Sequence, residues 1–390
     1  MALSLDRSSW KRVAFGDVIE NVTDRVDDPS EAGVDRYVGL EHLDPGVMTV
    51  QRWDTPDKVE AQKLRFQPGD VIFGRRRAYQ KKVAFAEFEG ICSAHALVLR
   101  ARPDYIDPDF LPVFLSSDYF LDRAIEISVG SLSPTVNWRD LKMQEFDLPP
   151  LDEQKRIADL LWVIEHHREA LRAQAEAADA ALRLTRASLV NDVKTEAVKA
   201  EEAFEFSTGV RRTPDRAAGP HMTRYLRSAN VGYGELDLSD VQEMNYEPFE
   251  RERFCLLAGD VLVSEGSASA AAVGMPARWS DELAAPACFQ MTLLRLRAIP
   301  EVCLPEFVFH WCMWAYESGA FRDVAGGTNI KHISARRSSQ MPVQLPTLEE
   351  QRVRVDRLES MMSAVGALRR EAECLDAARG AFLRDAFGRN

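Results

Sequence analysis

No run of about 18 apolar residues occurs anywhere in this 390-residue chain, so the sequence offers no transmembrane helix. Met1 to Trp10 lacks the apolar core of a secretory signal. Cysteine is scarce: Cys92, Cys255, Cys288, Cys303, Cys312 and Cys374 are scattered, with no Cys-x-x-Cys pair. Such spacing supports neither a zinc site nor a disulfide framework. A soluble, cytoplasmic chain with reduced thiols is the expectation. Positive charge is also in deficit, with 49 Lys and Arg against 61 Asp and Glu and a net charge of -12. Phosphate contact needs clustered Lys and Arg, so any nucleic-acid role requires a local basic face.

Catalytic patterns are missing too. Dinucleotide and P-loop glycine fingerprints are absent. Asp147-Leu148-Pro149-Pro150 is only faintly similar to the Asp/Asn-Pro-Pro-aromatic motif of amino-methyltransferases, because Leu148 interrupts it and no aromatic follows. Asp57 to Lys63 holds acids and lysines at the wrong spacing for a nuclease, and His166-His167 reads as packing or surface. The chain is therefore expected not to be an enzyme by itself, and to bind no metal.

What is present is a duplication. Leu148-Pro149-Pro150-Leu151-Asp152-Glu153-Gln154 recurs as Leu345-Pro346-Thr347-Leu348-Glu349-Glu350-Gln351, with the glutamines 197 residues apart. Gly69-Asp70-Val71 recurs as Gly259-Asp260-Val261, and Tyr37 matches Tyr225. Gly130-Ser131 matches Gly326-Gly327. Four landmarks keep their order, which makes this two copies of one domain. Trp10 and Phe15-Gly16 have no clear counterpart after Glu201.

Within each copy, short apolar runs such as Val71-Phe73, Lys82-Phe85, Ala96-Leu99, Val261-Val263 and Met291-Leu294 read as strands. Short helices are expected near Pro108 to Ser117 and Pro305 to Tyr316. After each signature the period changes. Ile157, Leu160, Ile164, His167 and Leu171 step by three and four, as do Leu358, Met362, Val365, Leu368, Ala372 and Leu375. Each long helix of roughly 40 residues would run about 60 Å. The expected fold class is mixed α/β, two domains with curved sheets, joined by two long helices. The boundaries are 1–147 for the first domain, 148–198 for its helix, 199–344 for the second domain and 345–390 for the last helix.

The densest basic run is Arg75-Arg76-Arg77-Ala78-Tyr79-Gln80-Lys81-Lys82. Arg forks suit phosphates and guanine edges, and Gln suits adenine. The matching loop of the second copy, Ser264 to Ser269, is not basic. There the positive charge comes from Arg211, Arg212, Arg224, Arg227, Lys331, His332, Arg336 and Arg337. The loops before the signatures carry Ser131, Ser133, Thr135 and Asn137 in one copy, and Thr328, Asn329, Lys331 and His332 in the other. Glycine with Ser, Thr, Asn and Lys offers donors for phosphate.

Together the Gly-Ser/Gly-Thr loop, the Leu-Pro-x-Leu-acid-Glu-Gln helix start and the Gly-Asp-Val strand, all present twice, resemble the DNA-specificity subunit of Type I restriction-modification systems. Gly327-Thr328-Asn329-Ile330-Lys331-His332-Ile333 is similar to the family pattern. The resemblance implies two target-recognition domains, each reading half of a split site in double-stranded DNA. It implies two antiparallel helices that fix the unread spacer and dock two modification subunits, with restriction subunits joining that core. S-adenosylmethionine and catalysis would belong to the partners, and this chain would bind no cofactor. The alternative expectation is a protein-interaction scaffold built on the helix pair, without sequence-specific DNA reading.

Overall fold

The computed structural model describes residues 7–192, 195–266, 272–283, 286–326 and 332–388. Two compact units emerge. The first holds residues up to 173 together with those from 369 onward; the second holds 174–368. Each long helix thus gives one part of its length to each unit.

In the first unit, Lys11–Ala14 pairs antiparallel with Glu145–Leu148. A four-stranded antiparallel sheet runs Ile19–Val22, Leu97–Ala101, Val71–Phe73, Val83–Phe85. A second sheet runs Arg25–Val26, Lys63–Phe66, Gly90–Ser93, Tyr37–Val38, and its last pair is parallel. Helices Phe110–Leu115 and Asp118–Glu126 cover the first sheet, closing a core of Phe15, Phe73, Phe110, Phe114, Phe120 and Phe146. Burial of such rings is the main stabilising term here, at about 25 cal/mol per Å² of apolar surface.

The second unit repeats this plan. Ala197–Lys199 pairs with Pro342–Gln344, and a four-stranded sheet runs Phe204–Thr208, Leu293–Ala298, Val261–Ser264, Pro276–Arg278. A three-stranded sheet runs Gln242–Asn245, Met222–Leu226, Ala287–Phe289, again with a parallel last pair. The counterpart missing from the sequence comparison appears in the backbone. Phe15 and Gly16 donate to the carbonyls of Gln144 and Lys142, while Ala200 and Glu201 donate to those of Met341 and Ser339.

Both repeated motifs prove to be structural clamps. Gly69 and Gly259 sit at φ +95° and +91°, a conformation that favours glycine. The next residue, Asp70, is fully buried and accepts from Arg100 Nε and Nη2 at 2.7 and 2.9 Å and from the Gln67 amide at 2.9 Å. Asp260 does the same with Arg297 at 2.6 and 2.7 Å and with the Leu257 amide at 2.9 Å. The signature glutamines are equally committed. Gln154 Oε1 accepts from the Asp107 amide at 2.8 Å, and its Nε2 donates to the carbonyls of Tyr105 and Pro149. Gln351 accepts from the Leu304 amide at 2.8 Å and donates to Val302 and Pro346. Each glutamine therefore pins the start of a long helix to the loop after its central sheet.

The long helices span Leu151–Asn191 and Leu348–Phe387. The second opens on a capping box: the Glu350 carboxylate accepts from the Thr347 amide, and the Thr347 hydroxyl accepts from the Glu350 amide. The buried stripe of the first helix is Ile157, Ala158, Leu161, Leu171, Ala175 and Leu182. Leu160 is 41% exposed, so the expected stripe is rotated by about one position there. His167 is exposed beside Glu371. Within the first unit the two helix segments run antiparallel, with Glu165 against Arg379 and Arg168 and Arg172 against Asp376.

Candidate nucleic-acid interface

The basic run leaves the central sheet of the first unit at Phe73 and immediately pairs with the loop before the signature. Arg76 bridges Thr135, the Arg77 amide donates to the Pro134 carbonyl at 2.7 Å, and the Val136 amide donates to the Arg75 carbonyl at 2.9 Å. Two segments some sixty positions apart in sequence thus form one prong. Arg77 and Lys81 both adopt left-handed backbone, at φ 56° and 50°, and frame the short turn Ala78–Gln80. Non-glycine residues hold that region at a cost, which here turns Tyr79 outward, 54% exposed.

Its side chains divide into two groups. Arg76, Arg77 and Tyr79 are exposed, while Arg75 and Gln80 are half-buried. Lys81 is tied to Asp118 at 2.6 Å and Asp122 at 3.4 Å, and Lys82 donates to the Leu40 carbonyl. The flanking loop turns at Gly130 (φ 117°) and exposes Ser131 and Leu132. Thr135 Oγ1 donates to the Ser133 carbonyl at 3.0 Å, and Asn137 occupies the N-cap position of the turn Trp138–Leu141. His95 lies close enough for Arg75 and Arg76 to add to the effect of burial in lowering its pKa.

Among its described residues the second unit repeats this pairing with other side chains. Gly266 bridges His332, and the Ile333 amide donates to the Glu265 carbonyl at 2.8 Å. Glu265 and Gly266 therefore stand where the first unit has Arg75 and Arg76. A Cβ at position 266 would lie 2.4 Å from His332 Nδ1, so any larger residue would have to displace that ring. Glu265 is half-buried, and burial raises its pKa while His332 opposes the rise. Thr328, Asn329 and Lys331 lie outside the described residues. Arg224 is exposed, 3.7 Å from Glu243. Arg227 is held by Asp240 and Asn230. Arg336 is exposed on the turn Ala335–Ser338, next to the prong. Sequence reading marked the second loop as non-basic but missed that an acid replaces arginine at the equivalent place. That substitution becomes visible only through the main-chain register.

The architecture defines a duplicated α/β recognition protein, with one scaffold kept twice and two different loop surfaces mounted on it. A family model described as Type I restriction modification DNA specificity domain matches residues 8–176. The chain is 26% identical over 152 residues to the Type I restriction enzyme EcoDI specificity subunit of Escherichia coli, a match covering 38% of this chain and 33% of that protein. It thus spans about a third of that relative's length. The EcoKI specificity subunit of Escherichia coli strain K12 is 23% identical over 356 residues, covering 82% and 75% of the two chains. Among solved structures, the Type-I restriction-modification system S subunit from M. genitalium superposes with a TM-score of 0.64 at 14% identity, covering 100% and 99%. Residues 8–176 are thus similar to the Type I specificity-domain family, and the EcoKI specificity subunit extends that likeness over most of the chain. These likenesses do not favour the scaffold alternative. Among the described residues, no helix is long and apolar enough to cross a membrane.

Proposed function

We propose that this chain reads a split site in double-stranded DNA, one half with each prong, and leaves the spacer between the halves unread. A single observation carries this reading: the same two-segment prong is built twice on identical clamps, with Arg75-Arg76-Arg77 in one unit and Glu265-Gly266 in the other. A purely structural loop would have no reason to keep its backbone and invert its charge. A pair of readers for different sequences would.

The chain itself does no chemistry in this reading. Two modification subunits dock on the long helices, bind S-adenosylmethionine and transfer the methyl group, and restriction subunits can join that complex. The net charge of -12 then belongs to surfaces that meet protein, while DNA contact is confined to local basic faces. Footprinting of the chain with its modification subunits should protect two short blocks with an indifferent gap. One contiguous protected block would refute the two-reader model. Arg76→Ala should weaken DNA binding and lower the salt slope by about one for each phosphate it no longer neutralises.

A further inference from the structure

The second unit holds a buried cation with no carboxylate in direct contact among the described residues, Asp260 and Glu205 acting on it only from farther away. Arg295 lies on strand Leu293–Ala298 and is only 5% exposed. Its Nε has no hydrogen-bond partner, and its Nη1 makes one long contact, 3.4 Å to the Arg253 carbonyl. The guanidinium also lies 5.6 Å from the Phe289 ring centre. Among the described residues no carboxylate forms an ion pair with it. Two positions along, on the same face, Arg297 has spent its guanidinium on Asp260. Burial foremost, and then Arg297 as a like charge, pulls the Arg295 pKa down. An unpaired buried charge is among the costliest features a fold can carry.

The first unit has no arginine at the equivalent place. Register places Arg295 opposite Leu262 and Val98 opposite Ile72, so the equivalent position is a fully buried valine. Asp70–Arg100 and Asp260–Arg297 are the repeated pair; Arg295 is an addition specific to the second unit. It lines an open cleft of about 780 Å³, together with Arg253, Arg297, Arg336 and Ser207. Ser207 is its cross-strand partner and offers a hydroxyl. The acids on this cleft are otherwise placed. Glu201 accepts from Ser339, Glu205 stands opposite Arg297, and Glu252 is exposed.

We infer that this cleft is a phosphate-binding site, in which Arg295 and Arg336 grip a phosphate from two sides and Ser207 adds a hydroxyl. A phosphate supplies the acceptors that a guanidinium fork matches. If the DNA-reading proposal holds, the phosphate is one of the DNA backbone, and this site gives the second unit a positive anchor where the first has the Arg75–Arg77 run. The same chemistry could be met by free phosphate.

Thermal unfolding of the full chain in potassium phosphate and in potassium chloride at equal ionic strength tests the site without reference to DNA. Phosphate should raise the transition saturably above the chloride value. Arg295→Met should fold, since it removes an unpaired buried charge, and should lose the phosphate-specific rise. Arg336→Gln changes only an exposed side chain and should reduce the rise. No phosphate-specific rise in the parent chain, or an undiminished rise in both variants, overturns the proposal. Titration with duplex DNA separates the sources. A backbone phosphate predicts that Arg295→Met lowers the salt slope by about one and that DNA removes the inorganic phosphate effect. Loss of the thermal effect with an unchanged DNA salt slope assigns the site to free phosphate.

Discussion

At the residue scale, the repeated positions are those whose hydrogen-bonding capacity is fully used inside one unit. Gln351 satisfies one amide and two carbonyls from a buried site, so Gln351→Leu strands three backbone groups at once. We expect a loss of roughly 2–4 kcal/mol, read from urea unfolding of the full chain, since each stranded group costs about 1–3 kcal/mol with partial relief by water. Asp260→Ala leaves Arg297 without its carboxylate and should cost about 3–5 kcal/mol. Neither change should alter which DNA sequence is bound. The recurrence of these residues was legible in the sequence, but their purpose was not. Gln154 in a linear reading is merely the end of a motif; its three partners come from three separate backbone positions. The basic run was legible as a cluster, yet the cluster is not uniform. Lys81 and Lys82 are spent inside the fold, and only Arg76, Arg77 and Tyr79 stand fully outward.

At the element scale, the two long helices place a side chain at an equivalent position against their central sheets, and the two contacts have different chemistry. In the first unit Phe85 meets Trp162 edge to face, with ring centres 5.3 Å apart. In the second, register puts Arg278 at the place of Phe85, and it meets Glu359 at 2.8 Å, with His310 Nε2 3.2 Å from the same carboxylate. Burial holds His310 neutral, below its ordinary value of 6.5, while Arg186 Nε faces its Nδ1. Burial alone would raise Glu359, but the adjacent His310 ring and the hydrogen bonds from Arg278 outweigh it and hold the carboxyl at about 2. Both folded values lie below the unfolded ones. The His310 contribution is therefore complete above pH 6.5 and declines as pH falls below it towards the lower folded value, and the Glu359 contribution is lost between about 4.5 and 2. Amide exchange should show the strand Val261–Ser264 losing protection between pH 7 and 5, and His310→Gln should flatten that dependence. An equal loss in Val71–Phe73, where no such pair exists, would contradict it. The sequence showed both helices through their three-four spacing. It could not show which sheet residue each helix residue faces, because that depends on pairings such as Val261 with Arg278.

At the scale of the whole molecule, the duplication separates what is kept from what is varied. The clamps, the order of the four-stranded central sheet and the parallel strand pairs recur; the prongs and the face carrying Arg295 do not. Domain number and the mixed α/β class were legible because four landmarks recur in order. The chemistry of the second prong was not, since Glu265 and His332 are far apart in sequence and are brought together by main-chain pairing. If each prong reads its own half-site, damage to one must leave the other's sequence preference intact. The most direct measurement is methylation-motif mapping in cells that hold this chain and its methyltransferase partner, with and without Arg76→Ala/Arg77→Ala. The account predicts a split motif for the unaltered chain and, for the variant, relaxed preference in one block with the other block and the spacer unchanged. A single contiguous motif, or equal relaxation of both blocks, would contradict it.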